Sequence, residues 1–184
     1  MPTINTSPDQ WPGKSQSTFI FLALVLVFAA LPGQAAEQSA RHHLYRLYNP
    51  QLQDHFYTAD LSEAQNSARS GYTLELTYGF LAARNPQEDQ TAFYRLWHPK
   101  AKKHFYTDDN DDLAHAVLNL GYIYEGPVGF LTLTQDQEDG RVLYRLYNPA
   151  SGDHVYTTSW VEWGMLQLSG YKDEGSLRGQ FYTE

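Results

Sequence analysis

The stretch Tyr45-Arg46-Leu47-Tyr48-Asn49-Pro50, followed at residue 54 by Asp54-His55-Phe56-Tyr57-Thr58, decides how this chain folds, because the chain writes it three times. It returns as Tyr94-Arg95-Leu96-Trp97-His98-Pro99 with Lys103-His104-Phe105-Tyr106-Thr107, and as Tyr144-Arg145-Leu146-Tyr147-Asn148-Pro149 with Asp153-His154-Val155-Tyr156-Thr157. A third block trails each copy: Gly71-Tyr72 with Glu75, Gly121-Tyr122 with Glu125, and Gly170-Tyr171 with Glu174. Units of this kind cannot bury an apolar face alone and must pack on one another. The repeats are expected at about 44–84, 92–134 and 142–184, joined by the polar connections Arg84 to Thr91 and Gln135 to Gly140.

Within a unit the hydrophobic period changes in order. Two aromatic, apolar runs flank the four-residue loops Pro50 to Gln53, Pro99 to Lys102 and Pro149 to Gly152, where Pro and Gly mark a turn, so each pair reads as a hairpin. A helix follows, with Asp60 and Glu63 as a capping pair, Leu61, Ala64 and Ala68 on one face, and Gly71 at its stop. The second copy places Leu113, Ala116, Val117 and Leu120 before Gly121, and the third Val161, Met165 and Leu168 before Gly170. A last strand closes each unit, as from Tyr72 to Leu81. The expected fold is α+β and strand-dominated, with three pseudo-symmetric strand-strand-helix-strand repeats closed around a threefold axis. The alternative, a β-trefoil, would turn the Gly-stopped helical segments into strands.

These blocks, YRLYN, DHFYT and GYxxEG, resemble an uncharacterised secreted repeat family, a domain of unknown function found in bacterial and fungal exported proteins. The resemblance covers residues 44 to 182 and implies no catalytic residue. The chain departs from the pattern at Lys103 for Asp, His98 for Asn, Val155 for Phe, and Leu76 where Gly126 and Gly175 follow the glutamate.

Of 184 residues, 42% are hydrophobic and 15% aromatic, too apolar for a disordered chain. The net charge of -8 gives no general attraction to nucleic acid or anionic lipid. With no cysteine there is no disulfide, thiolate metal site or cysteine nucleophile. Phe19 to Leu31 is an unbroken apolar run, shorter than the ~20 residues of a membrane span, and it precedes Pro32-Gly33-Gln34-Ala35-Ala36. Residues 1–35 therefore read as a signal peptide cut after Ala35, an uncleaved anchor being the competing reading; 36–43 reads as a lead-in containing His42 and His43, and 44–184 as one repeat domain. The mature chain is expected to be secreted or periplasmic and free of membrane.

A four-residue loop sets position 49 opposite 54 and 48 opposite 55, and side chains alternate along a strand. Arg46, Tyr48, His55 and Tyr57 then share one face, as do Arg95, Trp97, His104 and Tyr106, and Arg145, Tyr147, His154 and Tyr156. These twelve are the ligand-binding candidates. One reading is a glycan patch, with rings covering the C–H face of a sugar and Arg and His fixing its hydroxyls. A second converges His55, His104 and His154 on zinc. A third is an internal network, with Glu75 neutralising Arg46 and the Tyr hydroxyl bonding the imidazole. Repetition in identical context favours scaffold or multivalent binding over catalysis, so no catalytic residue, metal or cofactor is assigned. A secreted hydrolase or effector using His and Glu pairs, and a purely structural domain, are the alternatives. The run Asp108-Asp109-Asn110-Asp111-Asp112 reads as a helix start, and Trp160 with Trp163 as core packing, with a repeat interface or an exposed docking patch as the alternatives.

Overall fold

The computed structural model describes residues 41–82, 89–133 and 141–181. The expected signal segment 1–35 and the connection 135–140 lie outside the described residues. Strand β1 (Arg41–Asn49) turns into β2 (Asp54–Thr58), followed by helix α1 (Leu61–Ser67), a 3-10 turn (Ala68–Ser70) and β3 (Thr73–Ala82). Then come β4 (Gln90–His98), β5 (Lys103–Thr107), α2 (Asn110–Asn119) and β6 (Ile123–Thr132). The chain ends in β7 (Arg141–Asn148), β8 (Asp153–Thr157), α3 (Trp160–Leu168) and β9 (Lys172–Phe181). β1 begins at Arg41, ahead of the expected domain start at 44, so His42 and His43 belong to a strand.

The hairpin register follows from the loop length. Asn49 faces Asp54, Tyr48 faces His55 and Arg46 faces Tyr57, with the matching pairs Trp97–His104 and Tyr147–His154 in the other hairpins. In the first loop the Asn49 side chain accepts the N–H groups of Gln51 and Leu52, the local bonding that makes Asn a turn residue. Each helix starts at an acceptor: Asp60 takes the N–H groups of Ser62 and Glu63, Asp109 those of Asp111 and Asp112, and Ser159 that of Glu162. The expected Asp60–Glu63 pair is not reciprocal. Asp60 caps, while the Glu63 carboxylate turns to the Thr58 hydroxyl.

The expected closed ring is corrected by the strand pairing. The protein is strand-dominated and antiparallel throughout, with its strands in one sheet of order β2-β1-β3-β6-β9-β7-β8, from which β4 and β5 branch at β6. The inner strands touch through single pairs, Ala82 with Phe130 and Thr132 with Gln180. Among the described residues no ladder joins β9 back to β3, so the sheet has open ends at β2, β5 and β8 and does not close around a threefold axis. Nor is it a β-trefoil, since α1, α2 and α3 occupy the segments that fold would need as strands.

The reason lies at the edges. β2, β5 and β8 approach one another, and their outward N–H groups are met by side chains where a closed sheet would use backbone. The Tyr106 hydroxyl accepts the N–H of Tyr57 at 2.7 Å and donates to its carbonyl at 2.9 Å. Tyr156 does the same for Tyr106, and Tyr57 for Tyr156, at 2.6–3.0 Å. All three rings are fully buried, with centroids 5.2, 5.4 and 5.6 Å apart, inside a core completed by residues such as Leu44, Phe93, Leu131, Leu143 and Phe181.

Candidate functional site

The register puts the Arg, His and Tyr of each hairpin on one face, and the packing determines what they meet. Arg46 lies with its Nε 3.0 Å from Glu75 and one terminal nitrogen 2.7 Å from Glu162. Arg95 is held by both oxygens of Glu63 at 2.9 Å and by Glu125 at 2.8 Å, and Arg145 by Asp112 at 2.7 Å and Glu174 at 3.1 Å. The Nε contacts have ion-pair distances without a well-aimed N–H, so charge rather than hydrogen-bond direction holds them.

The imidazoles are set the same way. Asp153 takes the backbone N–H of His55 at 2.9 Å and faces its Nδ1 at 2.6 Å; Asp54 does so for His104 at 2.8 and 2.6 Å. Tyr48, Trp97 and Tyr147 lie over the imidazoles with centroids 4.6, 4.6 and 4.8 Å apart. Burial works against a charged His55, but its hydrogen bonds to Asp153 and Glu75 outweigh that and push its pKa up. Burial likewise opposes charge on Glu75, Glu162 and Glu174, while bonds to His55, Arg46 and His154 respectively, with neighbouring cations, pull these carboxyls below the usual range.

The structure thus gathers each quartet on one face and then closes it between hairpins. Arg46 is 5% and His55 8% exposed, Tyr57, Tyr106 and Tyr156 are sealed, and Tyr48, Trp97 and Tyr147 are half-buried. At His55 and His104 the expected bond from a Tyr hydroxyl to the imidazole is replaced by a carboxylate from another hairpin. The imidazoles of His55 and His104 also do not converge: Nδ1 of each faces that carboxylate, and the middle of the molecule is filled by tyrosines. Among the described residues no group of three or more His, Asp or Glu could hold a metal ion.

Sequence reasoning missed two sets of partners. Glu63 and Asp112, read as parts of helix starts, and Glu162, not singled out at all, clamp the arginines of β4, β7 and β1, and Asp54 and Asp153 clamp imidazoles. The available signal was an acid at the third position of every helix, but pairing over large sequence separations is invisible to local pattern. Trp160 was expected in the core, yet it is 63% exposed and stacked on Trp163 at 4.2 Å.

One open concavity of about 790 Å³ lies beside the first two hairpins. Its lining includes His43 and Tyr45 of β1, Leu61 and Glu63 of α1, Arg95 of β4, and Glu125, Pro127 and Phe130 of β6. Of the twelve quartet residues, Arg95 lines it.

A family model described as Domain of unknown function (DUF5648) matches residues 43–183. The chain belongs to this family. No curated protein and no solved structure matches this DUF5648 chain. Among its described residues no helix is long and apolar enough to cross a membrane.

Proposed function

We propose that this chain is an exported, non-catalytic binding module whose repeated quartets are framework and whose ligand is a glycan held in the groove beside Arg95. The observation that carries the reading is the groove itself. Its volume of about 790 Å³ falls in the ordinary range of ligand sites, and its lining combines the ring of Tyr45 with the apolar side chains of Leu61, Pro127 and Phe130. Flat apolar surfaces cover the C–H face of a sugar, while Glu63, Glu125 and Arg95 offer directed acceptors and donors to hydroxyls. Export rests on the apolar run Phe19 to Leu31 and the small residues that follow it. Absence of catalysis rests on pairing: Arg95 and Glu63 already neutralise each other in a two-point clamp. The net charge of -8 supports a partner other than nucleic acid.

The test is a glycan array on the exported chain, repeated with Leu61→Asp. Leu61 is 52% exposed at the first position of α1, where a carboxylate suits the helix end, so the variant keeps its fold while charging the apolar wall. Binding by the parent that Leu61→Asp abolishes is the expected result. Silence on all soluble and cell-wall sugars removes the ligand class. N-terminal sequencing of the exported protein should begin at Ala36; an uncut chain retained in the cytoplasm contradicts export.

A further inference from the structure

We propose that the seam between β5 and β8 is a binding site for a small carboxylate anion, centred on His154. The seam is read against the two others. Where β2 meets β5, the buried Asp54 carboxylate gathers three donors: the backbone N–H of His104 at 2.8 Å, its Nδ1 at 2.6 Å and the Tyr72 hydroxyl at 2.6 Å. Where β8 meets β2, Asp153 gathers the N–H of His55 at 2.9 Å, its Nδ1 at 2.6 Å and the Tyr171 hydroxyl at 2.8 Å. Each seam is a carboxylate in a three-donor seat.

The third seam keeps the frame and changes the acceptor. Phe105 lies 5.0 Å from the His154 ring and 5.7 Å from Tyr122, as Phe56 lies 4.9 Å from His104 and 5.6 Å from Tyr72. The aspartate position, however, is Lys103. An ammonium accepts no hydrogen bond, and this one turns away to the carbonyls of Leu52 and Gln53. His154, only 9% exposed, is left with Nδ1 buried and without a partner among the described residues. Among the described residues Tyr122 has no carboxylate bonded to its hydroxyl; burial, then the charges of Tyr147, Asp54 and Glu174, push its pKa to about 12, so it stays an O–H donor.

A buried polar group without a partner is costly, and here the His154 and Tyr122 rings sit about Phe105 at the distances their counterparts keep from Phe56, with the His154 Nε2 3.5 Å from Glu174 and Nδ1 unpartnered among the described residues. An external carboxylate supplies the acceptor that Lys103 lacks. The stem of Lys103 shares the space, which restricts the ligand to a small carboxylate; formate is the smallest probe. The groove beside Arg95 is lined by other residues, so this site stands or falls independently of the glycan reading.

The experiment follows the His154 imidazole resonances of the exported chain while sodium formate is titrated against sodium chloride at equal ionic strength. The expected result is a saturable shift with formate in the millimolar range, absent with chloride, and absent in Lys103→Asp, which restores the internal carboxylate. Tyr122→Phe removes one donor without adding charge and should weaken formate by about fivefold, the worth of one hydrogen bond; it also serves if Lys103→Asp fails to fold. No saturable shift, an equal shift with chloride, a shift that persists in Lys103→Asp, or an unchanged affinity in Tyr122→Phe would overturn the site.

Discussion

The hydroxyl of Tyr106 satisfies both the N–H and the carbonyl of Tyr57, a residue on another hairpin, in a fully buried place. Tyr106→Phe keeps the ring and removes both of these bonds, so it should lower stability in urea unfolding by about 2 to 4 kcal/mol. An unchanged midpoint would show that the hydroxyl is not needed there. His55 gives a second residue-level consequence. Its folded pKa is raised above 6.5, so its contribution is present below 6.5 and is lost as pH rises through the folded value. Glu75, Glu162 and Glu174 lie below their ordinary 4.5, so theirs is present above 4.5 and is lost as pH falls through the folded values. The melting temperature should therefore peak between these limits and fall on both sides, and Asp153→Asn should bring the His55 titration down toward its ordinary value. A melting temperature that still rises above neutrality would contradict the assignment.

At the scale of elements, β9 reaches the core by way of Gly179. A Cβ built there would stand 2.4 Å from Cβ of Leu131 on β6 and 3.0 Å from Cγ2 of Thr91 on β4, and the Gly179 N–H is already given to the buried Asp108 at 2.7 Å. Gly179→Ala should cost about 1 to 3 kcal/mol through overpacking, read as a lowered urea midpoint with unchanged slope. Helix α3 behaves oppositely. Leu168 is 91% exposed, and Leu168→Ser should move stability by less than about 0.5 kcal/mol. The difference marks how far sequence could be read. Hairpin register and helix starts were legible because turns, alternation and caps are local: Asn49, Asp60 and Gly71 announce them. The exposure of Trp160 was not, because an apolar helix face looks the same in sequence whether or not something covers it.

Over the whole molecule, what stayed hidden was pairing between distant segments. Nothing near Arg46 points to Glu162, and nothing near His55 points to Asp153. Three copies of one hairpin suggested a ring closed around a threefold axis; the three sheet edges meet through tyrosine hydroxyls and carboxylates, and among the described residues the sheet stays open. Arg46, Arg95, Arg145, His55 and His104 are paired with carboxylates from other segments and so fasten one hairpin to the next; the proposed glycan is placed in the groove beside Arg95. Native-state hydrogen exchange at the amides of Tyr57, Tyr106 and Tyr156 tests this most directly, since each N–H is bonded to a hydroxyl from another hairpin. The three should exchange with one common free energy, equal to that of global unfolding. If any one of them exchanged at a clearly lower free energy, its hairpin would open alone, and the fastening role of the buried side chains would be wrong.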